Sequence, residues 1–195
     1  LSHFTISNIT FKDPRWWTIN IIHASDGLLS DLKIKAYSSV PNQDGIDLRV
    51  GCHDIILKNL SGHAGDDFIA LSAIGSKLNE KSFNYIFRID EEDDDIHDII
   101  IRDVFATSVT CAVIALRNMD GNKLYNITID NIHESNDGTV GEGKGLYNLE
   151  QPFNRRRNFI SPCVLLRIGQ ECYYYKRPNI MGETYNIYAT NLYCN

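Results

Sequence analysis

The sequence predicts an all-β solenoid, a parallel β-helix of stacked coils. Three observations carry this reading: a six-residue strand pattern that recurs along the chain, a second apolar pair that follows it at a near-constant interval, and the absence of any helical period.

The pattern appears as FTISNI at 4–9, LKIKAY at 32–37, IILKNL at 55–60, IIIRDV at 99–104, ITIDNI at 127–132 and IYATNL at 187–192. Apolar residues hold the first, third and sixth places, relaxed once to Ala189. Alternation at period two with many β-branched residues is the signature of short strands. The fifth place, held by Asn8, Ala36, Asn59, Asp103, Asn131 and Asn191, breaks the alternation. Small polar side chains there can bond nearby backbone, turn the chain, and bond one another up a stack of coils.

The second strand of each unit is predicted at Ile19/Ile21, Ile46/Leu48, Ile69/Leu71 and Ile114/Leu116, with Leu166/Ile168 following a long insertion. Intervals between first strands are 28, 23, 44, 28 and 60 residues, which fit one coil of about 22–28 residues with extra loop in the longer gaps. An antiparallel sandwich also spaces short strands with turns, but it gives no reason for Asn or Asp at one place in each unit. Residues 1–195 are therefore read as a single β-helix domain with insertions at about 76–95 and 137–160. The chain begins and ends inside repeat strands without a capping helix, so a portion of a longer helix, or self-association at the coil ends, is expected.

Composition limits the function classes. A formal net charge of -6 with one dense basic run, Arg155 to Arg157, argues against a nucleic-acid partner. No run of 18 apolar residues points to a membrane partner. Five widely spaced cysteines without a CxxC pair indicate neither a zinc site nor a disulfide framework.

The chemistry is concentrated in PNQDGID, residues 41–47, and GDDFIAL, residues 65–71. Asp44 and Asp67 lie 23 residues apart, one coil, each two residues before a second-strand pair. Stacked coils are about 4.8 Å apart, so the two carboxyls become neighbours with Asp66 beside them. Mutual repulsion then raises at least one pKa. A protonated acid with ionised partners is what glycoside hydrolysis uses, and the inverting form separates acid and base by about 6.5–9.5 Å. A straight strand would turn Asp44 inward beside Ile46, so the turn at Asn42 to Gly45 must redirect it. Turn chemistry alone would also explain each motif taken singly.

With DPRWW at 13–17 ahead of them, these motifs resemble the polygalacturonase-like glycoside hydrolases of family 28, closely over residues 1–75 and loosely beyond. The resemblance implies a right-handed parallel β-helix and inverting hydrolysis of α-linked uronic-acid polymers such as pectin, without metal or cofactor. It further implies that Asp66 is the general acid and that Asp44 and Asp67 activate the water. Arg167 of RIG matches the arginine of the family's R-I-K, a substrate-carboxylate ligand. Two positions depart: Ala112 stands where the family has a histidine, and Gly169 where it has a lysine.

Among other candidates, Asn42 and Trp16 are read as substrate-binding, Trp16 and Trp17 by stacking on sugar faces or by packing. His63 either bonds the acid or lies in a solvated turn. His53 and His97 read as corner residues. The acidic run Asp90 to Asp95 is expected to be a solvated insertion rather than a calcium loop, which has different spacing. The expected partner is a polysaccharide or oligosaccharide, and a secreted or periplasmic location follows from that substrate class. The alternatives are a non-catalytic polysaccharide-binding adhesin and a polysaccharide lyase needing Ca²⁺ and a base.

Overall fold

A computed structural model describes residues 1–36, 42–74, 93–108, 111–119, 121–134, 164–170 and 180–194. Its elements are β1 (Ser2–Lys12), β2 (Ile19–Ile21), β3 (Ser25–Lys35), β4 (Ile46–Arg49), β5 (His53–Ala64), β6 (Ile69–Ile74), β7 (Ile96–Ser108), β8 (Ala112–Met119), β9 (Lys123–Glu134), β10 (Val164–Gln170) and β11 (Glu183–Tyr193). The odd-numbered strands form one six-stranded sheet in the order β1-β3-β5-β7-β9-β11, and the even-numbered strands form a five-stranded sheet in the order β10-β8-β6-β4-β2. Every pairing is parallel, so the chain climbs one coil at a time and alternates between the two sheets. This is the parallel β-helix that the repeat predicts.

Register turns the repeat into columns. Ile55, Ile99, Ile127 and Ile187 are successive partners in the first place, as are Leu57, Ile101, Ile129 and Ala189 in the third. Ile19, Ile46, Ile69 and Ile114 form the matching column of the second sheet. Most of these side chains are inaccessible to solvent and meet in one core between the sheets. Each such residue contributes about 1.5–3 kcal/mol relative to exposure.

One repeat assignment changes. Phe4 pairs with Gly27 and Ile9 with Leu32, so the second coil's member is GLLSDL at 27–32, not LKIKAY at 32–37. The reason is volume: a Cβ on Gly27 would lie 2.3 Å from Cζ of Phe4, whose ring already fills the first-place space. The fifth place in that coil is thus Asp31, not Ala36.

With that correction the fifth place is uniform. Asn8, Asp31, Asn59, Asp103, Asn131 and Asn191 all have φ between 52° and 57°. This left-handed region favours Asn and Asp among non-glycine residues because their short side chains bond locally. Those side chains link coils, with Asn59 donating to Asp31, Asn131 Nδ2 to Asp103 Oδ1 at 2.7 Å, and Asn191 Nδ2 to Asp130 Oδ1 at 2.8 Å. A second left-handed column runs through Asp26, Asp54, Asp98, Asn126 and Asn186. There Asn126 donates to Asp98 and Asn186 to Asn126.

Beside it the partly exposed rings of His53, His97, Tyr125 and Tyr185 stack at centroid spacings of 4.9, 4.8 and 5.1 Å. His53 is the first residue of β5 and His97 the second of β7, both at strand starts. Insertion residues 76–92 and 137–160 lie outside the described residues, as do Arg155 to Arg157. Of Asp93 to Asp95, Asp93 is exposed as a solvated run requires, whereas Asp94 and Asp95 are engaged by the fold. Asp94 is 5% exposed and 3.5 Å from His23 Nε2, while Asp95 Oδ1 accepts the Lys123 N–H at 2.7 Å.

Candidate active site

The site forms where two coils enter the five-stranded sheet. Before β4 the chain turns through Asn42 to Gly45, and before β6 through Gly65 to Phe68. The two turns nest: the amides of Gly65 and Asp66 donate to Gln43 O, and those of Gly45 and Ile46 donate to Asp67 O and Phe68 O. Gly45 is required by this approach, since a Cβ there would lie 2.3 Å from Phe68 O. Asn42 adopts φ 64°, which bends the chain ahead of Asp44. Because Ile46 pairs with Ile69, Asp44 and Asp67 occupy equivalent places in adjacent coils.

Four carboxyls meet here. Asp44, Asp47 and Asp67 are buried, whereas Asp66 is half-buried and is the one that reaches the surface. Burial, reinforced by the charges of Asp47, Asp66 and Asp67, holds Asp44 well above the usual carboxylate range. Burial also pushes Asp47 up to about 6, against the opposing pull of Arg49 and Arg117. Asp67 is raised by burial as well, with Arg117, Arg167 and the Ala112 amide drawing it back. Asp66 has different support: Oδ2 accepts the Asn42 N–H at 2.8 Å and Oδ1 the Asp67 N–H at 3.1 Å.

Cations face the group from three coils. Arg117 Nη1 and Arg167 Nη2 lie 3.7 and 3.5 Å from Asp67 Oδ2. Arg117 Nη2 is also held by Ser72 Oγ at 2.9 Å. Arg49 Nη1 is 3.7 Å from Asp47 Oδ1, and its guanidinium carbon stands 5.1 Å from the centre of the Trp17 ring. These are ion pairs in a confined space, where leaving one partner alone costs several kcal/mol.

The structure brings most of the expected residues together. Asn42 contributes its backbone N–H to Asp66 Oδ2, so it lies beside the carboxyl cluster. Trp16 is 44% exposed and packs edge-on to Trp17 at 6.1 Å, which connects it to the site through Arg49. His63 is not in a solvated turn: it is fully buried within β5, paired with Lys35 and Thr107 of neighbouring strands. Ala112 offers no side-chain polar group, but its N–H donates to Asp67 Oδ1 at 2.9 Å. Gly169 is the register partner of Arg117, and a Cβ on it would meet nothing within 4 Å.

Sequence reasoning missed Asp47, Arg49 and Arg117. The available signal was alternation: each follows an inward Ile or Leu by one position on β4 or β8, so each must face outward beside the aspartates.

One oxygen each of Asp66 and Asp67 and the sulfur of Cys111 lie within 4.8 Å of one another. The arrangement can hold a shared proton, present a carboxyl to a bound ligand at Asp66, and keep an ionisable base at Asp67 beside two guanidinium groups.

No curated protein matches the chain, and no solved structure does. A family model matches less than half of the chain, but that part contains Asp44, Asp66 and Asp67. Residues 1–85 match the model described as Glycosyl hydrolases family 28, which supports, at the level of the family, a glycoside hydrolase acting on a pectin-like substrate.

Proposed function

We propose that this protein hydrolyses α-glycosidic bonds in a pectin- or polygalacturonate-like polysaccharide with inversion. The observation that carries the reading is the stacking of Asp44 on Asp67, one coil apart, with the half-buried Asp66 between them and the surface. Asp66 gives its proton to the leaving glycosidic oxygen. A water attacks the anomeric carbon and passes its proton to Asp67, whose ionised form Arg117 and Arg167 favour. Asp44, opposite Asp67, orients that water. Arg167, 37% exposed at its side chain, is available to a uronate carboxylate. Gly169 supplies no second cation, so one charge-assisted contact to such a sugar is missing. A secreted or periplasmic location accords with a polymeric substrate of this kind.

The test is incubation with pectic and related polysaccharides, reading new reducing ends and unsaturated products. Reducing ends without unsaturation support hydrolysis. Chelator-sensitive unsaturation would instead identify a lyase, and binding without turnover an adhesin.

Inversion is distinguished from retention, in which a carboxylate attacks the anomeric carbon directly, by the configuration of the product. NMR of the first-formed anomer separates the two. An inverted product supports the water-mediated route, and a retained one replaces it with a covalent intermediate.

A further inference from the structure

Cys111 enters no step of that chemistry, yet its sulfur stands with one oxygen of Asp66 and one of Asp67 in a group spanning no more than 4.8 Å. The turn that carries it is fastened to the acid. Ser108 Oγ donates to Asp66 O at 2.6 Å and accepts the Cys111 N–H at 2.9 Å.

A second observation lies in the adjoining turn. Asp44 is 3% exposed, and its Oδ1 is buried without a hydrogen-bond partner among the described residues. It sits in the turn that nests against Gly65 to Phe68 and feels the charges of both Asp66 and Asp67. A buried carboxyl oxygen lacking a donor is an acceptor to which a cation can bind.

We propose that Cys111, Asp66 and Asp67, with Asp44 behind them, bind a borderline-soft divalent cation such as Zn²⁺, and that this binding inhibits the enzyme. One sulfur with carboxylate oxygens selects against Mg²⁺ and Ca²⁺, which take oxygen ligands, and suits Zn²⁺. Zinc bonds of about 2.3 Å to sulfur and about 2.0–2.2 Å to oxygen need ligand atoms about 3.3–3.8 Å apart in a tetrahedron. Rotation of three side chains by about an ångström closes the difference. On binding, the Cys111 thiol proton and the carboxyl proton of Asp66 pass to solvent and no electrons are transferred. Cation binding would occupy Asp66 and Asp67 together, so it removes an acid and a base in one event.

The experiment uses the full chain without polysaccharide, and so stands apart from the hydrolase reading. Titration with Co²⁺ should produce a thiolate-to-cobalt charge-transfer band in the near ultraviolet that Zn²⁺ displaces. Loss of a group that merely orients a ligand lowers metal affinity about 10–100-fold, so Cys111→Ser should weaken Zn²⁺ at least about tenfold and abolish the band. Cys194→Ser should retain both. Zn²⁺ should also slow alkylation of Cys111, read by peptide mapping, without protecting Cys194; this measurement needs no variant and holds if Cys111→Ser misfolds. A band that survives Cys111→Ser, no band in the parent protein, or unprotected Cys111 would overturn the proposal.

Discussion

Arg167 and Asp67 are 100 positions apart in the chain, yet Nη2 of the arginine lies 3.5 Å from Oδ2 of the aspartate. Two coil steps, β6 to β8 and β8 to β10, bring them together. Nearby cations favour ionisation of Asp67, so removing one raises its pKa further. Arg167→Ala should therefore shift the acid limb of kcat against pH to higher pH, and Arg167→Lys should partly restore it. An unchanged limb would show that Asp67 does not act as the base.

Asp66→Asn should lower kcat by about 10²–10⁴-fold, the usual contribution of a positioned acid or base. The amide retains the acceptor oxygen but cannot deliver the proton. The amide oxygen satisfies only one of the two backbone N–H groups that Asp66 accepts, so a modest loss of Tm should accompany the variant while circular dichroism still shows the parent fold. Comparable turnover in the parent and Asp66→Asn would remove Asp66 from the mechanism.

Asp47 binds its proton more tightly in the folded protein, at about 6, than an unperturbed aspartate at about 3.9. Folding therefore gains stability from this group below about pH 4 and loses it as pH rises through about 6. The difference amounts to on the order of 2–3 kcal/mol. Calorimetry from pH 4 to 7 should show a Tm component that falls with rising pH and is absent in Asp47→Asn. A pH slope equal in parent and variant would assign the effect elsewhere.

The fifth-place column makes a separate prediction about stability. Asn131, at φ 57°, donates to Asp103 Oδ1 at 2.7 Å. Asn131→Ala loses that bond and places an ordinary side chain in the left-handed region, at a cost of about 1–2 kcal/mol. Asn131→Gly loses the bond but relieves the backbone, so urea denaturation should rank it between Asn131→Ala and the parent.

Core residues divide by mechanism as well. Leu57→Ala should cost about 2–5 kcal/mol, because the side chain is fully buried between the sheets and its neighbours cannot collapse into the space. Ile56→Ala, on the outward face and 36% exposed, should cost much less. Equal losses would contradict the inward and outward assignment of β5.

Much of the architecture was legible because β coils impose the same demand at each level. Ile46/Leu48 and Ile69/Leu71 alternate as strands must, and their separation alone puts Asp44 over Asp67. The second coil was misplaced because Gly27 obtains its apolar filling from Phe4 one coil away, which no local pattern reveals. His63 read as a turn residue because glycines flank it, but β5 extends through it to Ala64. Asp47, Arg49 and Arg117 were passed over because charge in an alternating strand ordinarily means solvent. Here the outward face of the sheet is covered, and the charges answer one another.

The steps from Ile55 to Ile99 and from Ile127 to Ile187 consume 44 and 60 residues, whereas Gly27 to Ile55 takes 28; each advances the stack by one partner. Lengthening a loop raises closure entropy only slowly, by about 0.6 kcal/mol for each doubling. Reactive groups here are indexed by strand partner rather than by chain distance. A lineage can therefore lengthen or exchange the intervening segments while the aspartates keep their spacing.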